Sequence, residues 1–303
     1  MGKSFKAIVV FIFILGLSIL LTPVFYKILP MFKFEKIFNR LVMVFTIAAA
    51  VIYVYLEQKK NGLGRNFWNV YGFDFSAPWK KLFIYGFLAG TLSLAFIVLF
   101  EVIFGPRYFR HPILIQDILE RFFKGMLSGL IVAIVEEFFF RGFVFRWLKG
   151  KTPIVIAILL ASAFYAATHF LDNGQTFVPD HPTVKDAARL LVGYVEPFTH
   201  HWQTIFPEFM GLFLFGITLC LAYLGTNSLF MPMGIHAGVV FAIKFQHSFV
   251  RKGPEGLTHH FFGGLPDYDG IFEWAVLIVL SVAVWYVVIP YLKRSAVISK
   301  KSF

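Results

Sequence analysis

Ile134-Val135-Glu136-Glu137-Phe138-Phe139-Phe140-Arg141-Gly142 places two carboxylates and a guanidinium inside an otherwise apolar run that extends roughly from Arg121 to Trp147. Each such charge costs about 2.5–3.5 kcal/mol at mid-helix on membrane-insertion scales, so a compensating gain is required. Glu137 and Arg141 are four residues apart and share a helical face, with the acid on the N-terminal side, the favourable order for an ion pair. Glu136 is rotated by about 100° from Glu137, so one guanidinium cannot serve both acids equally and Glu136 needs another partner. Two readings are open at this point. One is a structural ion pair at the cytoplasmic end of a span, with Glu136 protonated; the other is a carboxylate kept in a low-dielectric site for use as a general base.

The rest of the chain sets that stretch in a membrane. With 58% hydrophobic and 15% charged residues and a mean hydropathy of +0.73, the 303-residue chain departs far from a soluble globular composition. The 40 Phe exclude a disordered or low-complexity protein, because such chains lack apolar surface to bury. One cysteine, Cys220, excludes an intramolecular disulfide, a Cys-based zinc site and a Cys-ligated iron–sulfur cluster. The net charge of +11 is carried mostly by short loops between apolar runs, a pattern of membrane topology that predicts no nucleic-acid partner.

A helix needs about 20 mostly apolar residues to cross the hydrocarbon core. Uncharged runs of 20, 16, 19, 20 and 19 residues lie between Lys6 and Lys27, Arg40 and Glu57, Lys81 and Glu101, Lys151 and Asp172, and Glu273 and Lys293. The 35 uncharged residues between Glu208 and Lys244 are too many for one crossing, and Gly225-Thr226-Asn227-Ser228 with Pro232 breaks them into two. With the charged run from Arg121 to Trp147, the expectation is an all-α polytopic membrane protein of about eight transmembrane helices with a four-helix catalytic core. The loop from Asp172 to Pro207 is expected to carry a short surface helix around Val184 to Tyr194. Lys244 and Glu101, near span ends, read as snorkelling groups.

Eight spans put both termini on one side. An arrangement with the N-terminus inside places 15 Lys and Arg in the cytoplasmic segments against 12 opposite, and the acid-rich loops from Asp172 to Pro207 and Phe249 to Ile271 fall outside. Both termini, including the basic tail Lys293, Arg294, Lys300 and Lys301, are therefore expected in the cytoplasm. The run after Lys3 and Lys6 lacks a small-x-small cleavage site and reads as a retained first span.

Two histidines are candidate partners for Glu136. His169 closes the span ending Tyr165-Ala166-Ala167-Thr168-His169, and His236 lies in Met233-Gly234-Ile235-His236-Ala237-Gly238-Val239-Val240. At 1.5 Å per residue from the expected cytoplasmic edges, Glu136 lies about 20 Å deep, His169 about 24 Å and His236 about 12 Å, close enough to line one cavity. Such histidines also serve simply as interhelical hydrogen-bonding residues. His200-His201 and His259-His260 form a weaker pattern, because adjacent side chains diverge. HExxH, GxSxG and P-loop motifs are all absent.

Glu136-Glu137-x-x-x-Arg141, then Tyr165-x-x-x-His169, then His236 resembles the CPBP family of intramembrane proteases, which comprises the type II CAAX prenyl endopeptidases and the bacterial abortive-infection and bacteriocin-immunity proteins. The resemblance covers about Arg121 to His247. It implies a metal-independent glutamate protease with no cofactor and a cavity open to the cytosol. In it Glu136 with His169 activates water, Glu137 and Arg141 shape and neutralise the site, and His236 helps to stabilise the oxyanion. It departs from the family's pattern twice: Tyr165 stands where Phe is usual, and Val240 stands where Asn is usual, four residues after the third-motif histidine. Valine cannot donate to an oxyanion, and Asn227 is the alternative donor.

The expected organisation is residues 1–120 as N-terminal transmembrane helices, 121–248 as the catalytic core, and 249–303 as an outer loop, a last span and the basic tail. The expected function is an intramembrane endopeptidase of the bacterial inner membrane, acting on a peptide or protein substrate, lipidated or not, among membrane lipids. The alternatives are a catalytically silent immunity or scaffold protein binding a peptide or partner, and a transporter using the buried acids as an ion site, which would lack the internal repeat common in transporters.

Overall fold

Each charge-bounded apolar run is helical in the computed structural model, which describes residues 3–61, 67–76, 78–171, 178–253, 259–263 and 268–290. The expected acidic loop residues Asp172, Glu255 and Asp267 and the basic tail lie outside the described residues. The chain divides into two units, residues 1–64 with 167–205, and residues 65–166 with 206–303.

In the first unit, α1 (Lys3–Ile28) and α2 (Phe34–Asn61) form a hairpin on which α8 (Val184–His200) packs. Phe34 and Phe38 of α2 are buried with Ala187 and Leu190 of α8, and the Tyr194 hydroxyl donates to Asn39 Oδ1 at 2.6 Å. The helix expected around Val184 to Tyr194 is present and runs on to His200. Its start is set by Asp186, whose Oδ2 accepts from the Thr183 backbone N–H at 2.9 Å and from the Thr183 hydroxyl at 2.8 Å.

The second unit holds α3 (Phe67–Val70), α4 (Trp79–Phe104), β1 (Arg107–Phe109), α5 (Ile115–Glu137), a π-helical segment (Phe138–Phe145), α6 (Arg146–Lys149), and α7 (Ile154–Thr168) up to Ala166. It continues through most of α9 (Trp202–Thr226), α10 (Phe230–Gln246), β2 (Val250–Lys252), α11 (His259–Phe262) and α12 (Ile271–Ala283) with its π-helical extension Val284–Val288. The break expected at Gly225 to Ser228 separates α9 from α10, and Asn227 adopts a left-handed φ of 51° there. Asparagine tolerates that conformation better than most residues.

Helix α10 is buried on nearly every side because its neighbours touch it backbone to backbone. A Cβ at Gly86 or Gly90 of α4 would lie 2.4 Å from Met231 O or 2.2 Å from Ile235 O, and one at Gly234 or Gly238 of α10 would lie 2.2 Å from Phe83 O or Phe87 O. On the other flank, a Cβ at Gly129 of α5 would lie 2.7 Å from Ala237 O. Three small-xxx-small pairs, Gly86/Gly90, Gly125/Gly129 and Gly234/Gly238, thus bring α4 and α5 onto α10, the arrangement that lets helices associate where no hydrophobic effect drives them together.

Four helical segments are long and apolar enough to cross a membrane: Val9–Ile28, Phe34–Leu56, Trp79–Phe104 and Trp202–Thr226. Among the described residues, length and composition alone thus bear out four of the eight expected spans. Ile154–Thr168 and Ile271–Tyr286 are apolar but shorter. The α5 run carries its own charges, and α10 spends its surface on protein contacts and small residues, which lowers its hydropathy.

Glu101 does not snorkel. Its side chain is 0% exposed and pairs with Arg107, with Lys252 Nζ 3.9 Å away, while Arg107 donates to Gln246 Oε1 at 2.8 Å. This network ties α4 and α10 to a two-stranded antiparallel ribbon in which Arg107 pairs with Lys252 and Phe109 with Val250. Lys244 is exposed, as expected.

Two predictions follow from this packing. Helix propensity alone would favour Ala over Gly by about 1 kcal/mol, but overpacking at backbone contact costs about 1–3 kcal/mol or more. Gly90→Ala and Gly238→Ala should therefore each lower the unfolding temperature in detergent, while Gly16→Ala, with no atom within 4 Å of its Cβ, should not. The second concerns Asp186, whose carboxyl the Thr183 N–H and hydroxyl hold below the ordinary carboxylate range. A depressed folded-state value stabilises above the unfolded pKa and is lost as pH falls through the folded one. The Tm deficit of Asp186→Asn relative to wild type should accordingly be full at pH 7 and shrink at pH 3.

Candidate active site

The charged stretch straddles a change of helical geometry. Helix α5 ends at Glu137, and from Phe138 to Phe145 the backbone is π-helical, with i→i+5 hydrogen bonding that resets the direction of every later side chain. Such segments occur frequently at functional sites. Phe140, Arg141, Gly142 and Phe145 face inward, as does Glu137 at the junction.

Glu137 is 0% exposed and Arg141 1% exposed, and Arg141 Nη1 donates to Glu137 Oε1 at 2.9 Å. Arg141 Nη2 donates to the Gly216 carbonyl of α9 at 3.3 Å. The guanidinium also lies over the ring of Tyr165 in α7, 4.6 Å from its centroid. Gly216 allows this approach, because a Cβ there would sit 2.9 Å from the Ser162 Cβ of α7.

His236 of α10 completes the cluster. Its Nδ1 lies 2.8 Å from Glu137 Oε1, a distance at which the Nδ1–H tautomer donates to that oxygen. Its Nε2 faces Glu136 Oε2 at 3.9 Å. That oxygen is buried and has no hydrogen-bond partner among the described residues, although the Glu136 side chain as a whole keeps 28% of its exposure. The second Glu137 oxygen is likewise without a hydrogen-bond partner among them. Phe215 and Tyr165 enclose the imidazole edge to face, with ring centroids at 5.6 and 6.2 Å.

Glu136, Glu137, Arg141 and His236 are thus together in one unit, with Val240 one turn beyond His236 on α10. His169 follows α7 in the turn that opens the other unit's second segment. Asn227 lies exposed in its turn, ahead of α10, whereas His236 is buried within that helix. His200 Nδ1 is 2.8 Å from the Thr199 hydroxyl, whereas the His259 and His260 side chains lie outside the described residues. Sequence reasoning passed over Gly216 and the ring of Tyr165 as supports for Arg141, and no spacing rule would have found the carbonyl contact.

Residues 118–242 match the family model Type II CAAX prenyl endopeptidase Rce1-like, a segment that holds every residue of the three motifs. The match supports the resemblance of that segment to the CPBP family, a family of membrane proteases, and the four apolar spans fit an integral membrane protein. No curated protein and no solved structure matches the chain.

Removing one partner of a buried pair strands the other charge, at a cost of about 3–5 kcal/mol. Arg141→Gln and Glu137→Gln should each destabilise the protein by that order, and the double variant by clearly less than the sum. Thermal unfolding of the three variants in detergent checks this.

Proposed function

We propose that the chain is an intramembrane endopeptidase in which Glu136 takes a proton from the attacking water. The observation that carries this reading is the 3.9 Å gap between Glu136 Oε2, which has no hydrogen-bond partner among the described residues, and His236 Nε2, whose ring is fixed at its other end by Glu137. A base needs an unengaged oxygen within reach of water, and Glu136 is the partly exposed acid of the two. Glu137 and Arg141 hold the imidazole and balance charge around it. His236 Nε2, once it has received the proton, can direct it at the developing oxyanion and pass it to the leaving amine, so that water adds across the C–N bond with no net proton change. His169 enters as the second partner of Glu136 through the family resemblance. No metal or cofactor is needed for these steps.

In this reading the eight helical runs all lie in the membrane, with both termini in the cytoplasm of a bacterial inner membrane. The substrate is a peptide or protein, lipidated or not, reached among membrane lipids. A second reading, a catalytically silent immunity or scaffold protein that binds a peptide or partner, is favoured by one residue. Val240 offers no donor where the family usually has Asn, and loss of one oxyanion donor typically costs about 100–1000-fold in rate.

Cleavage of a peptide library by the purified protein in nanodiscs separates the two. The endopeptidase reading expects chelator-resistant cleavage that falls by at least about 1000-fold in Glu136→Ala and rises by about 10-fold or more in Val240→Asn. Absence of cleavage by folded wild type and by Val240→Asn would favour the silent binder.

A further inference from the structure

We propose that one proton is held between the buried carboxyl groups of Glu101 and Glu273, and that this proton fastens α12 to α4 and the β-ribbon; the proposal stands apart from the endopeptidase reading. Both side chains are 0% exposed. Phe100 and Phe272, the residues just before them, stack with ring centroids 4.3 Å apart and 19° between their planes, which brings the two helices together at this level. The Glu273 carboxyl comes within hydrogen-bond reach of Glu101.

The partners of the two acids are unequally shared. Glu101 Oε2 pairs with Arg107 Nε of β1, and Lys252 Nζ of β2 lies 3.9 Å from Glu101 Oε1. Glu273 Oε2 accepts from the Gly270 N–H at 3.0 Å. Among the described residues neither cation forms an ion pair with Glu273, which Lys252 attracts only from farther off. One oxygen of each acid, Glu101 Oε1 and Glu273 Oε1, is buried without a hydrogen-bond partner among those residues. Two ionised carboxylates can only accept, so neither serves the other. One proton on Glu273 Oε1, donated to Glu101 Oε1, satisfies both atoms at once and removes the charge that no cation matches. Of the other charged groups on the elements packed here, Lys244 of α10 and Arg251 of β2 are exposed, and Glu208 of α9 interacts with Asp269. From α10 it is Gln246 that reaches the cluster, accepting from Arg107. The His259 and His260 side chains of α11 lie outside the described residues.

The test is infrared spectroscopy and thermal unfolding of the full chain in nanodiscs. Wild type should show a carboxylic-acid C=O band at pH 7 that shifts in heavy water and is missing from Glu273→Gln. The glutamine matches the protonated acid, with an oxygen for the Gly270 N–H and an N–H for Glu101, so its Tm at pH 7 should stay within about 2 °C of wild type. Glu273→Leu, which strands Glu101 Oε1, should lose about 5 °C or more. The folded pair binds one proton more than the unfolded chain, so stability declines as pH rises, the unfolding equilibrium growing about tenfold per pH unit until the folded pair gives its proton up. Wild-type Tm should therefore fall between pH 6 and pH 9 relative to that of Glu273→Gln. Should the glutamine variant not fold, Glu273→Asp, an acid one methylene shorter, should move the band instead. An acid band indifferent to every change at position 273 would overturn the proposal, as would a Glu273→Gln whose Tm drops as far as that of Glu273→Leu.

Discussion

Glu137 is a carboxylate with no exposure to solvent, and the second unit is arranged around the need to satisfy it. An isolated charge at that depth would cost several kcal/mol or more. Arg141, one turn along, supplies the opposite charge, and His236 a second donor to the same oxygen. Meeting that need fixes three elements. The π-helical segment carries Arg141, α9 offers the Gly216 carbonyl, and α10 must come close enough to α5 for His236 to reach. The glycine pairs on α4, α5 and α10 are what make that closeness possible. Stability and chemistry therefore share one constraint: the groups that neutralise Glu137 are those that leave Glu136 partly exposed and unpaired at one oxygen.

Much of this was legible from the order of residues. Charge-bounded apolar runs located the helices, because a membrane span needs about 20 mostly apolar residues, and the i,i+4 spacing of Glu137 and Arg141 gave their contact. The three motifs carried the family resemblance that the match over residues 118–242 supports. Other features were hidden for physical reasons. Helical wheels assume one period, and the π-helical stretch after Glu137 breaks it. Glu136 was left in want of a partner by the same wheel, but nothing local could say that His236, a hundred residues on, would face it. The glycine spacings were visible in the sequence, yet they acquire meaning only once the helices that touch are known.

The count of spans shows where composition misleads. Helix α10, enclosed by protein, is not among the four helices that length and composition single out, while Glu101 looked like a snorkelling acid because it stood near the end of an apolar run. Burial with Arg107 and Lys252 turned that acid into a clasp for the β-ribbon. Charge within an apolar run marks either a site or a structural tie, and here the two differ in exposure, 0% for Glu101 against 28% for the Glu136 side chain. At the Arg107 ribbon the acid is closed off from solvent between two basic residues. At the π-helical junction Glu136 keeps part of its exposure, which is what the proposed role as a base requires.

The measurement that bears most directly on the central claim is a single turnover in ¹⁸O-labelled water, followed by mass spectrometry of both the product and the peptide bearing Glu136. If Glu136 acts as the base for an attacking water, the label enters the new carboxyl group of the product and none enters the enzyme. Label in the Glu136 carboxylate would show that this side chain attacks the substrate itself, and would contradict the account.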